Sequence, residues 1–287
     1  MRAFRRSLAV LLAVSQVSGP AAAADDAFEL FEEESRVVTA SRRSEAVREA
    51  PVAVEVITAE EIRRSGAVNL WDYMRFRAGM NVVDGRSGEG NRALVSIRGF
   101  PAEFVDNMLV LLDGRSVYTG LSGGAVWEAL PVQAQDIERI EIIRGPNAAL
   151  YGSNAGLGVI NIITRAPSGR RSVASEALIG NEGLHREQGS FEDARKAGAY
   201  LLSIAHKTQG AYPTTAGAAG SDALHSNKGN FRGLWNISER STLELFTGGA
   251  WDNLGVIDSD NPSARFRHHF EMLKHSYDPG PDSSIQT

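Results

Sequence analysis

The sequence predicts an α+β domain, a mixed sheet with short helices, followed by a series of antiparallel β strands. Three observations carry this. Between residues 48 and 167, short apolar runs are interleaved with two helix-start signals. Asp113 and Gly114, between Val110–Leu112 and Ser116–Tyr118, form the strongest hairpin signal in the chain. After Pro167 the apolar residues recur at every second position, in segments of about ten residues.

Val52–Ile57 reads as an apolar strand, and Thr58 with Glu61 makes a capping box that starts a helix ended by Gly66. Asn69 is placed to cap a second helix through Leu70, Trp71, Tyr73, Met74 and Phe76, stopped by Gly79. Four further strands are expected at Met80–Val83, Leu94–Arg98, Met108–Leu112 and Ile137–Ile143. Gly158–Thr164 closes the domain as an apolar strand with Asn161 inside it. Beyond it, Tyr200, Leu202 and Ile204 alternate with Leu201, Ser203 and Ala205. Phe231, Gly233, Trp235 and Ile237 alternate with Arg232, Leu234 and Asn236, and Phe266, His268, Phe270 and Met272 with Arg267, His269 and Glu271. Transmembrane barrel strands have this period, and so does a soluble antiparallel sheet with one wet face; periodicity leaves both open.

Composition narrows the function classes. The 30 Lys plus Arg and 35 Asp plus Glu give a formal charge of −5, with no basic tract, which argues against a nucleic-acid partner. The absence of cysteine removes disulfides, thiolate metal sites and cysteine nucleophiles. A mean hydropathy of −0.20 and no long apolar run after the N-terminus argue against a helical membrane protein. Residues 1–24 carry Arg2, Arg5 and Arg6, then the apolar stretch Leu8–Val14, then Ala21–Ala24, the order of a secretory signal peptide. Residues 25–47 follow as a flexible leader, acidic at its start.

The stretch DIERIEIIRGPNAALYGSNAGLGVINIITR (Asp136–Arg165) stands with SIRGF (Ser96–Phe100), LVLLDGRSVY (Leu109–Tyr118) and VEVITAEEIRRSG (Val54–Gly66). Together they resemble the plug domain of TonB-dependent outer-membrane receptors over roughly residues 35–167. The resemblance implies a plug at 48–167 and, at 168–287, the start of a transmembrane β-barrel, incomplete because 120 positions hold about six strands where the family closes about twenty-two.

It also implies roles. Ser35, Arg36, Val37, Val38, Thr39 and Ala40 look like the TonB box, which would add a strand to an exposed sheet edge of TonB through main-chain hydrogen bonds. Arg98 and Arg144 resemble a plug–barrel latch that pairs with wall glutamates. Arg86, Arg92, Phe104 and Tyr118 are candidate ligand contacts, since arginine suits carboxylate-bearing siderophores and aromatic rings suit chelator rings. The implied partners are TonB with its inner-membrane energising complex, outer-membrane lipid, and a ferric siderophore, cobalamin or haem as cargo. The implied location is the outer membrane of a Gram-negative bacterium, with the periplasm as the alternative for a chain of this length. No cofactor and no metal site are expected.

Gly120, Leu121, Ser122, Gly123 and Gly124 satisfy the G-x-S-x-G of a nucleophile elbow, but all six histidines lie from His185 onward and no βαβ series follows. The glycines around Gly152, Gly156 and Gly158 do not spell a phosphate loop and are read as tight turns that let the last strand pack closely. His268 and His269, neighbours in a strand, point to opposite faces and cannot share a metal. The expected function is energy-coupled uptake by a receptor that is not an enzyme. The alternatives are a plug-containing binding or signalling fragment without transport and, less favoured, a serine hydrolase.

Overall fold

The computed structural model describes residues 36–39, 45–46, 52–84, 93–99, 107–118, 124–211, 223–255 and 263–278. Two sheets of different construction carry the chain. Short β1 (Arg36–Val37) and β2 (Glu45–Ala46) pair antiparallel ahead of them.

The first domain is built on β3 (Ala53–Thr58), β6 (Met108–Leu112), β7 (Arg115–Ser116), β8 (Ile137–Arg144) and β9 (Gly158–Thr164), in the spatial order β3-β8-β9-β6-β7. Only the β6–β9 contact is parallel. β4 (Met80–Asp84) and β5 (Ala93–Ile97) form a separate antiparallel ribbon. The hairpin falls where Asp113-Gly114 predicts it, both residues taking positive φ. Helix α1 (Ala59–Arg64) starts at the expected capping box: the Thr58 hydroxyl accepts from Glu61 N, and the Glu61 carboxylate accepts from Thr58 N at 2.8 Å. A second, four-residue helix α2 (Ala148–Tyr151) precedes β9.

The helix expected after Asn69 is instead a 3-10 segment, Leu70–Met74. Asn69 does not cap it; its amide donates to Asp72 Oδ2 and its Oδ1 accepts from Lys207 Nζ, while Phe76 stands outside the core. A local bond to Asp72 and a tertiary bond from Lys207 take the place of the cap.

β6 reads MLVLL because both its faces are covered. Met108, Val110 and Leu112 join the main core with Trp71, Met74 and Trp127; Leu109 and Leu111 join a second cluster with Val37, Ile143 and Val159. At Gly158 a Cβ would collide with the Ile143 carbonyl oxygen and lie 2.8 Å from Ile97 Cδ1, so β8 and β9 approach as closely as they do only because no side chain is there.

The second sheet is an antiparallel meander of six long strands, β10 (Ser172–Ile179), β11 (His185–Arg195), β12 (Gly198–Gln209), β13 (Leu224–Ser238), β14 (Ser241–Gly255) and β15 (Ser263–Tyr277), not closed on itself. Two-residue turns join β11 to β12 and β13 to β14 at one end; at the other end β10–β11, β12–β13 and β14–β15 follow one another across 5, 14 and 7 residues of sequence. Its faces decide between the two readings that periodicity left open. Leu202 and Ile204 on β12 are 46% and 61% exposed on the outside, while Ser203, between them, is buried toward the first domain. Val173, Ile237 and Trp251 also face outward, and Glu192, Asn230 and Glu244 inward. Apolar outside and polar inside is the barrel-wall pattern, the reverse of a soluble sheet with one wet face. β15 departs from it: Arg267, His269 and Glu271 face outward and Phe270 packs inward, edge-on to Phe246 at 4.7 Å.

Candidate functional site

The segment expected to recruit TonB lies against the plug. Ser35 and Ala40 fall outside the described residues, but Val37 is fully buried in the second cluster, and Val38 and Thr39 meet one carboxylate. Glu141, 0% exposed and central in β8, accepts from Val38 N at 3.1 Å, Thr39 N at 2.8 Å and Thr39 Oγ1 at 2.5 Å. Arg139 Nε donates to its other oxygen at 2.8 Å. Two neutral bonds complete the cradle: Tyr151 Oη donates to the Thr39 carbonyl at 2.9 Å, and Asn161 Nδ2 to Thr39 Oγ1 at 3.0 Å. Asn161 is the cross-strand partner of Glu141, so β8 and β9 deliver both groups to one point.

The two arginines expected as a latch flank Gly79, whose absent side chain leaves Arg98 Cγ and Arg144 Cδ in contact range of the same spot. Arg144 pairs with Glu55 of β3 at 2.8 Å and donates to the Ala78 carbonyl, a partner inside the plug and not on the wall. Among the described residues no carboxylate pairs with Arg98. Arg86, Arg92 and Phe104 lie outside the described residues, as do residues 120–123 of the GLSGG run. Tyr118 is packed against the main plug core. His268 and His269 sit on opposite faces of unbroken β15.

Polar ties between plug and wall come from residues that motif reading passed over. Arg165 donates to Glu192 at 3.2 Å and Ser190 on β11. Arg232 on β13 binds Glu244 and donates to the Thr164 carbonyl at 2.7 Å, and Thr164 in turn donates to Asp113. Asp136 accepts from Ser203 Oγ at 2.6 Å and from Asn230. Burial pushes the Asp136 carboxyl above the ordinary carboxylate range, against the pull of its Ser203 and Asn230 bonds and of Arg165. Burial likewise raises Asp113, against its Thr164 bonds. For Glu141 the available signal was its place in the apolar strand Ile137–Arg144, next to Ile140, Ile142 and Ile143, where a carboxylate persists only if it is satisfied.

A cavity of about 80 Å³ separates the plug from β11–β13, lined by Trp71, Trp127, Gln133, Gln188 and Lys228 among others. Among the described residues, Trp71 Nε1 and both amide atoms of Gln133, two of the lining residues, have no hydrogen-bond partner.

Comparison with known proteins agrees with this architecture. Residues 46–159 match the family described as the TonB-dependent Receptor Plug Domain. The ferric enterobactin receptor PirA of Pseudomonas aeruginosa is 35% identical over 189 residues, which are 58% of this chain and 25% of that protein. The vitamin B12 transporter BtuB of Photobacterium profundum is 34% identical over 175 residues, 61% of this chain and 28% of its own length. The crystal structure of the siderophore receptor PirA from Acinetobacter baumannii superposes with a TM-score of 0.55 at 26% identity, covering 72% of this chain and 32% of that one. The chain thus spans about a quarter of the length of the relatives it matches. Residues 46–159 are thus a TonB-dependent receptor plug domain, and with its polar-faced sheet of six strands the chain is similar in sequence and fold to part of TonB-dependent outer-membrane receptors.

Proposed function

We propose that this chain is the plug and first wall strands of a receptor for energy-coupled uptake of a ferric siderophore across the outer membrane, with cobalamin or haem as alternative cargo. Its relatives include a ferric enterobactin receptor and a vitamin B12 transporter, which supports the siderophore and cobalamin readings. The observation that carries the reading is the docked segment 36–39, a short extended run held on the plug by bonds that can be exchanged for a partner's strand. The end of the wall with two-residue turns is the periplasmic one and the end with longer connections faces outward. Signal peptide 1–24 and leader 25–47 bring residues 35–40 to the periplasm, where TonB, energised from the inner membrane, takes them. Arg98 and Arg144, side by side at Gly79, form the plug half of the latch. Tyr118, with Arg86, Arg92 and Phe104, contributes to the ligand-facing side of the plug.

The test is capture of the full chain by the purified periplasmic C-terminal domain of TonB. The wild-type chain binds, and Val38→Pro, which removes a main-chain donor, weakens binding at least about tenfold. The same substitution deletes the Val38 bond to Glu141, so a segment that is looser yet binds worse identifies strand addition. No binding by the wild-type chain refutes the assignment.

A further inference from the structure

We infer that Glu141 is the positioning residue that holds segment 36–39 on the plug and sets how readily it comes free. The inference rests on the reading of that segment as the TonB-recognition element.

A fully buried carboxylate in the middle of a strand is tolerated only with its acceptor sites filled. Three of the donors that fill them belong to Val38 and Thr39, more than one hundred residues away in sequence. The fourth, Arg139, is on the same strand and stays when the segment leaves. Departure of the segment therefore keeps the charge balanced by a guanidinium but strips three donors at once, and water must enter to replace them. Release of the segment and solvation of Glu141 are one event. The other polar restraints, from Tyr151 and Asn161, are neutral and individually weaker. Glutamine, although isosteric, loses the charge and sets an N–H against the incoming N–H donors. Position 141 is thus a control point for exposure of the segment, separate from the residues that TonB itself would read.

The absence of cysteine makes a single introduced thiol unambiguous, and Val37 is fully buried while the segment is docked. In the full chain carrying Val37→Cys, the thiol-labelling rate reports release. Glu141→Gln raises that rate about tenfold or more, the size expected from losing charge-assisted hydrogen bonds. Thr58→Ala, which weakens the remote cap of α1, leaves it within about twofold. Thr39→Val removes one donor and keeps the main chain, giving a smaller increase; it supplies the answer if Glu141→Gln fails to fold by near-ultraviolet circular dichroism. An unchanged rate in the Glu141 or, in that event, the Thr39 variant overturns the inference, as does an equal increase in Thr58→Ala. Faster labelling with tighter capture by the TonB domain supports both readings. Faster labelling with no capture by that domain upholds the role of Glu141 and refutes the recognition reading.

Discussion

Arg232 offers the sharpest test of how the wall is tied to the plug. Its guanidinium binds Glu244 Oε1 through Nε at 2.7 Å and through its NH2 group at 2.6 Å, and donates to the carbonyl and hydroxyl oxygens of Thr164 at 2.7 and 3.0 Å. The two side chains are 15% and 12% exposed. Removing one partner of a buried pair costs about 3–5 kcal/mol. The residual exposure lets water reach the stranded carboxylate, which lowers the expectation for Arg232→Leu to roughly 2–4 kcal/mol. Replacing both partners, Arg232→Leu with Glu244→Leu, removes the stranded charge and recovers at least about half of that loss. Arg232→Lys keeps the charge but not the fork and falls between. Guanidinium unfolding of the full chain in detergent, followed through the tryptophans, reads all four proteins. A loss below about 1 kcal/mol for the single leucine variant, or strict additivity in the double variant, refutes the account of this contact.

Other perturbations act on the plug alone. Gly158→Ala forces β8 and β9 apart and costs about 1–3 kcal/mol, read as an earlier loss of the near-ultraviolet signal from Trp71 and Trp127. Thr58→Ala removes the capping box and costs about 1 kcal/mol, read as a lower unfolding midpoint. Asp136 binds protons more tightly folded than unfolded. Its contribution is therefore present below the ordinary carboxylate value of 3.8 and lost as pH rises through the raised value in the fold, and Asp136→Asn flattens that part of the pH–stability curve. Glu61 has the opposite sign: burial raises it, but the Thr58 N–H and Arg77 outweigh burial and hold it below 4.5, so its contribution is present above that value and lost as pH falls through the lowered one.

What was legible in the sequence is what short-range physics fixes. β6 and β9 occupy Met108–Leu112 and Gly158–Thr164 as read, because five to seven apolar residues bounded by turn signals have few alternatives. The Thr58–Glu61 box and the Asp113-Gly114 turn depend on neighbours within four residues, and both formed. Asn69 misled because its partners Asp72 and Lys207 were unequal in visibility: one is three residues away, the other 138. The polarity of the wall was unreadable for the same reason. Alternation in β12 gives two faces but not which of them meets the plug; that follows only once Ser203 is seen against Asp136. Family resemblance named Arg98 and Arg144 with wall glutamates as partners, and the ion pair of Arg144 with Glu55, 89 residues away within the plug, was not legible. Glu141 stood out as a carboxylate inside an apolar strand, and its partners in segment 36–39 did not.

Amide hydrogen exchange at Val38 and Thr39 in the full chain tests the central claim directly, because docking of that segment on Glu141 underlies both its sequestration and its proposed handover to TonB. The account predicts that both amides are protected in the isolated chain and that their exchange changes when the TonB C-terminal domain is added. Exchange at the rate of an unstructured peptide, the same with and without that domain, would contradict it.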